Sequence, residues 1–261
     1  MLKNIANAIC KLTNGPILLV FSFLSLLFDN KKKWNRILAI FFLGLAINAA
    51  LKCIFKIPLP ESLKPNWYAF PSGHMQSNTL YFGAWALEYT KSWFLLASFL
   101  FLLVDAWGMW MMEYHTWFHI AGGFIAGICI LVLYRPLCKK ISEKDQSYFG
   151  FIFGCIATLL LLATNRSYHD QWGAVGGLFG LGLGMVLLEN LVIPIQKTNP
   201  LLKLFVGIIG FGAIKFSTDY FCGHLVLGTY WLIASFLTVL WASYGIEIVF
   251  LLPKTLPLKK K

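Results

Sequence analysis

Apolar residues in this chain run in long blocks separated by short polar punctuation. The blocks read as 15–28, 37–55, 75–88, 93–112, 118–134, 148–164, 172–194, 201–216 and 225–251. That pattern predicts about nine membrane-crossing helices, several short enough to need tilt or partial burial within a bundle. Residues 1–13 are patterned differently. Ile5, Ile9 and Leu12 alternate with Lys3, Asn7 and Lys11 at helical spacing, as expected of a segment lying along a membrane surface.

Composition agrees with the pattern. Of 261 residues, 58% are hydrophobic and 13% charged, with a mean hydropathy of +0.70. A soluble domain of this length does not hide so much apolar surface, so the fold class is an all-α polytopic transmembrane bundle. The net charge of +11 invites a nucleic-acid partner. The lysines instead sit in short runs between apolar spans, the placement of topology signals, and no nucleic acid is expected. Cys10, Cys53, Cys129, Cys138, Cys155 and Cys222 show no metal-ligand spacing and read as small hydrophobes in or beside the spans. The first apolar run ends in Asp29-Asn30-Lys31-Lys32-Lys33, without a small-residue cleavage site, so no cleavable signal peptide is expected.

The basic residues also order the spans. Lys31, Lys32, Lys33 and Arg36 follow the first span, and Arg135, Lys139, Lys140 and Lys144 follow the fifth. Lys197 follows the seventh, and Lys254, Lys259, Lys260 and Lys261 follow the ninth. If every span crosses, all of these share one side, which the positive-inside rule makes cytoplasmic. All five histidines, His74, His115, His119, His169 and His224, then fall in or beside the outward loops. Together they point to an outward-facing site. Trp107, Trp110, Trp117 and Trp172 gather on the same side and read as an interfacial aromatic belt.

Three stretches carry candidate chemistry. The first is Lys52-Cys53-Ile54-Phe55-Lys56-Ile57-Pro58-Leu59-Pro60, and the second is Pro71-Ser72-Gly73-His74. The second is a turn that hands a histidine to a helix start, where unpaired N–H groups and the helix dipole favour an anion. The third is His115-Thr116-Trp117-Phe118-His119, followed by Gly122-Gly123.

In this order the three stretches resemble the signature of the phosphatidic acid phosphatase type 2 / haloperoxidase superfamily, over roughly residues 15–135. The family pattern is Lys-x6-Arg-Pro, then Pro-Ser-Gly-His, then Ser-Arg-x5-His-x3-Asp. Lys52, Pro60, the whole second motif and His115 match it, whereas Leu59, Gly108-Met109 and His119 replace the first arginine, the Ser-Arg pair and the aspartate. The resemblance implies a family-like membrane core at 1–138 and a C-terminal helical extension at 139–261. It also implies hydrolysis of a lipid phosphate or diphosphate through a phosphohistidine, without metal or other cofactor. On that reading His115 is the nucleophile and His74 the acid, while Lys52, Ser72 and Gly73 bind phosphate. The expected partner is a membrane lipid substrate, with no obligate protein partner. The expected location is a bacterial inner (cytoplasmic) membrane.

The departures call for substitutes. Arg166 is the one arginine on the outward side and is the candidate for the missing clamp. His119, Asp170, Glu113 and the intramembrane Asp105 are candidates to orient the nucleophile. His169 precedes Gly176-Gly177 at the offset separating His115 from Gly122-Gly123; an old duplication or small-residue helix packing would each produce this. Two rival functions stay open: a zinc hydrolase using His115 and His119 four residues apart, and a family member that binds lipid phosphates without turnover.

Overall fold

The computed structural model describes residues 1–59, 68–142, 145–164, 169–190 and 199–255. Their secondary structure is helical, and the exception is an isolated bridge between Pro58 and Tyr68. The helices are α1 (Leu2–Leu12), α2 (Gly15–Phe28), α3 (Lys31–Phe55), α4 (Gly73–Tyr89), α5 (Ser92–Met111) and α6 (Trp117–Lys140). A single 3-10 turn (Asp145–Tyr148) leads into α7 (Phe149–Ala163), followed by α8 (His169–Asn190), α9 (Pro200–Cys222) and α10 (Leu227–Leu240). A π-helical turn, Trp241–Gly245, joins α10 to α11 (Ile246–Thr255).

Local sequence explains the starts. Asn14 accepts a bond from the Gly15 N–H with Pro16 in the first turn of α2, and Asn30 accepts from the Lys32 and Lys33 N–H groups of α3. Asn199 does the same for α9, ahead of Pro200. Among the described residues six helices are long and apolar enough to cross a membrane, or seven if α1 and α2, bent by 47°, form one span. The expected third block, here α4, misses that standard because it has only 17 residues and carries the polar Gln76, Asn78 and Thr79, which are buried. It is wrapped by α3, α5 and α6, so its polar groups meet protein and not lipid. α7 is apolar but only 15 residues long.

α3 is the axis of the bundle, with α4 on one side and α7 and α8 on the other. One core runs through both, from Trp34, Phe41 and Tyr81 to Phe149, Leu178 and Leu181. The outward faces of α5, α6 and α9 are apolar, with Leu95, Phe99, Val132, Leu133, Phe205 and Ile208 exposed, as lipid contact requires. A smaller core of Cys10, Met75, Leu102, Ala106, Met109 and Ile120 joins α1, α4, α5 and α6.

Glycines set the closest approaches. A Cβ at Gly176 or Gly180 would overlap carbonyls of α10, at Leu232 and Phe236, and one at Gly177 would press on Phe42 of α3. The Gly176-Gly177 pair is thus engaged in small-residue packing. The first-turn region of α3 meets Glu88 of α4, Gln146 before α7, Glu189 of α8 and Glu247 of α11. Lys203 of α9 joins them through Glu247. Lys31, Lys32, Arg36 and Lys203 therefore collect at one end of the bundle. Of the other basic residues expected there, Lys144, Lys197 and 259–261 lie outside the described residues, as do the side chains of Lys139 and Lys254.

Candidate functional site

The opposite end of α4 begins at the Pro71-Ser72-Gly73-His74 turn. The Phe70–Pro71 peptide is cis, and Ser72 caps α4 by accepting a bond from the Met75 N–H at 3.4 Å. The Ser72 N–H donates to the His119 carbonyl at 3.0 Å, which ties the start of α4 to the first turn of α6. Gly123 makes the contact possible, because a Cβ there would lie 2.5 Å from the Ser72 carbonyl oxygen. Ser72 is fully buried, and its hydroxyl also reaches the Met109 sulfur at 3.8 Å.

Lys52 and Asn48, one turn apart on α3, flank the turn from the other side. A Cβ on Gly73 would sit 2.9 Å from Asn48 Oδ1 and 3.7 Å from Lys52 Nζ, so a buried ammonium stands directly beside the helix start. Asn48 holds the turn in place by donating to the Pro71 carbonyl at 3.3 Å and to Gln76 Oε1 at 2.8 Å. Lys52, Ser72 and Gly73, separated in sequence, are thus brought together.

His115 arrives on the short connection between α5 and α6. Two bonds, Glu113 N–H to the Trp110 carbonyl and Tyr114 N–H to the Met109 carbonyl, close α5 with a Schellman turn. Glu113 occupies its left-handed position, with φ 60°. His115 precedes α6, so it does not share a helix face with His119, although the two rings lie 5.8 Å apart. Burial, then the Lys52 ammonium and the His119 and His74 rings, pushes the His115 imidazole down to about 3, leaving it neutral. Its Nδ1 is buried without a hydrogen-bond partner. His119 spends Nδ1 on the Thr116 hydroxyl at 2.6 Å, and the Pro58 backbone also faces its ring.

The carboxylates distribute in a way the sequence did not reveal. Asp105 is fully buried and lies against His74, with Oδ1 3.3 Å from Nε2, while Asn78 donates to its other oxygen at 2.8 Å. Glu113 is largely exposed and pairs with Lys3 at 3.3 Å. Arg166 lies outside the described residues, and so do Pro60 and the side chains of His169 and Asp170. His224 is exposed on the connection between α9 and α10. Among the described residues no three His, Cys, Asp or Glu side chains gather as a metal ion would need.

Thr13, Asn48, Gln76 and Asn78 belong to this site and were not singled out by sequence. Two of them had a readable signal: Asn48 and Asn78 stand four residues from Lys52 and His74 on their helices, hence on the same faces. Comparison with family models, curated proteins and solved structures finds no significant match to this chain.

Proposed function

We propose that the chain is an integral membrane phosphatase that removes the phosphate or diphosphate of a lipid through a phosphohistidine on His115. The observation that carries this reading is the convergence of a buried ammonium, Lys52, and the helix start at Gly73 beside a neutral imidazole. Phosphoryl transfer depends chiefly on such positioning and charge stabilisation. His115 attacks phosphorus, forming the P–N bond as the P–O bond to the lipid breaks, and His74 gives its proton to the departing oxygen. Water then attacks the phosphohistidine, returns a proton to His74 and releases inorganic phosphate. On this proposal the chain carries a core like that of the phosphatidic acid phosphatase type 2 family that the three motifs resemble, within about nine spans in all. On this reading the histidine end faces outward from a bacterial inner membrane, since the basic residues gather at the other end.

A second reading is favoured by one specific contact. The orienting aspartate of the family is replaced by His119, the buried carboxylate Asp105 stands against His74, and Met109 and Leu59 occupy arginine positions. A protein that holds a lipid phosphate without cleaving it would keep Lys52 and the turn and tolerate these changes. Zinc chemistry is disfavoured by Lys52, whose ammonium repels a cation from His115 and His119.

The test uses the full chain in nanodiscs, assayed for inorganic phosphate release from phosphatidic acid, phosphatidylglycerophosphate and an isoprenoid diphosphate. Turnover inhibited by vanadate, insensitive to chelator and abolished in His115→Gln supports the phosphatase. Vanadate binding without turnover selects the binding protein. Failure to bind vanadate overturns both.

A further inference from the structure

We propose that Thr13 is a positioning residue for His74, delivered to the site by an amphipathic helix lying in the membrane interface. The proposal rests on the reading of His74 as the proton donor. The Thr13 hydroxyl is 2.8 Å from His74 Nε2 and 2.7 Å from Asp105 Oδ1, and the residue is fully buried at the C-terminus of α1. A hydroxyl has one hydrogen to give, and among its acceptors here, the Ile9 and Cys10 carbonyls at 3.2 Å and Asp105 Oδ1 at 2.7 Å, the carboxylate is the nearest. The arrangement that satisfies both short contacts has Nε2–H of His74 donating to Thr13 and Thr13 O–H donating to Asp105. This inserts a hydroxyl between imidazole and carboxylate, anchors the ring through Nε2–H and leaves Nδ1 as the nitrogen whose proton passes to the leaving oxygen. Without Thr13, the direct contact between His74 and Asp105 is the 3.3 Å approach, longer than a charge-assisted bond prefers.

The carrier of Thr13 is built for an interface. At 100° per residue α1 divides into three sectors. Ala6 and Cys10 are buried toward the protein, Ile5 and Leu12 are apolar and exposed, and Lys3, Asn4 and Lys11 form the polar sector. An exposed apolar flank beside a lysine-bearing one is the pattern of a helix half-sunk at the headgroup level. Its docking surface on α5 is Gly108, where a Cβ would meet Cys10 Sγ at 3.2 Å and the Ala6 carbonyl at 3.4 Å. Gly108 stands where the resembled family has serine, so this departure has a structural use: it admits α1.

The experiment places uniformly 15N-histidine-labelled full chain in phospholipid nanodiscs as wild type, Thr13→Val, Thr13→Ser and Gly108→Leu. Valine keeps the shape and removes both bonds, serine keeps both bonds, and leucine at 108 displaces α1 while leaving Thr13 itself intact. The His74 Nε2–H resonance is expected to resist exchange in wild type and Thr13→Ser and to disappear in the other two. Phosphate release from phosphatidic acid is expected to lose about 10–100-fold in kcat in Thr13→Val, with KM unchanged, and to recover in Thr13→Ser. An unchanged His74 resonance in Thr13→Val, with native helicity and melting, overturns the proposal. Wild-type chain without turnover would instead sink the phosphatase reading, while the resonance still decides the role of Thr13.

Discussion

At one end of α4, Glu88 receives two bonds from Arg36, at 2.7 and 2.6 Å, and Gln146 takes a third at 3.0 Å. Gln146 in turn donates to the Cys138 and Ile141 carbonyls, and the Tyr134 hydroxyl donates to the Arg36 carbonyl. About 22 Å away along the helix, the other end gathers His74, His115, His119 and Lys52, where His115 Nδ1 and Asn78 Oδ1 are buried without a hydrogen bond, and at the arginine end Asn35 Oδ1 is likewise buried without one. A cavity of about 480 Å³ opens at the arginine end, lined by Arg36, Glu88, Tyr134 and Arg135. The groups around Arg36 there already serve one another. Native interiors rarely leave buried polar atoms unpaired, and where they do, strain, a bound water or ion, or a reaction accounts for it. On the proposed function, the arginine end of α4 holds helices together and the histidine end meets the lipid phosphate.

The sharpest way to break this contrast is a pair of substitutions with crossed outcomes. Arg36→Met strands the Glu88 carboxylate, and both partners are more than four-fifths buried. Losing one member of a buried pair costs about 3–5 kcal/mol, and the remaining solvent access lowers that to about 2–4 kcal/mol here. Denaturant unfolding in mixed micelles should show that loss, while phosphate release per folded molecule stays within about twofold of wild type. His115→Leu should do the reverse. It removes an unsatisfied buried nitrogen at little cost to stability, and it should lower turnover by about ten-thousand-fold, as loss of a member of a catalytic triad does. If Arg36→Met silences the activity while His115→Leu unfolds the chain, the division of labour is wrong.

How far sequence reached follows the same divide. The all-helical membrane class and the meeting of Lys52 with the Ser72-Gly73 turn were legible, because hydropathy, helix polarity and motif order are written locally. Thr13 was not, since it meets His74 across 61 residues and no periodicity links a surface helix to a helix start. The direction of Asp105 was equally hidden. A carboxylate four residues before Met109 could have served either histidine, and in the fold it meets His74. Glu247 went unnoticed for a related reason: its partners Lys31 and Lys203, each at 3.1 Å, come from two other helices. The π turn beside it supplies the Ser243 carbonyl that Lys31 also reaches, and a π turn has no sequence signature of its own.

A smaller effect tests the charge environment of the histidine end. His115 sits at about 3 in the folded chain against an ordinary value of 6.5. Between those values the unfolded chain binds more protons than the folded one, so stability contributed through His115 is complete above about 6.5 and falls as pH drops toward 3. From pH 7 to pH 5 wild type should lose about 1–2 kcal/mol relative to His115→Leu. An equal loss in both proteins would mean that His115 is not held neutral, and its use as a nucleophile at low pH would lose its basis.

The smallest effect settles what Glu113 is for. As a carboxylate two residues from His115 it was a candidate to orient the nucleophile, yet its side chain is 69% exposed and pairs with an equally exposed Lys3. Such a surface pair is worth little. Its backbone matters more: at φ 60° a non-glycine residue pays a steric cost that glycine does not, and the Schellman turn that presents His115 depends on this position. Glu113→Gly should therefore raise stability by about 0.5–1 kcal/mol and leave turnover unchanged, because the turn is kept and the lost pair is solvent-screened. Glu113→Gln is the control, since it keeps the strain and removes only the charge, and it should be neutral in both assays. Turnover that falls in both variants would mean that the carboxylate swings inward during the reaction. His115 would then have an orienting partner after all.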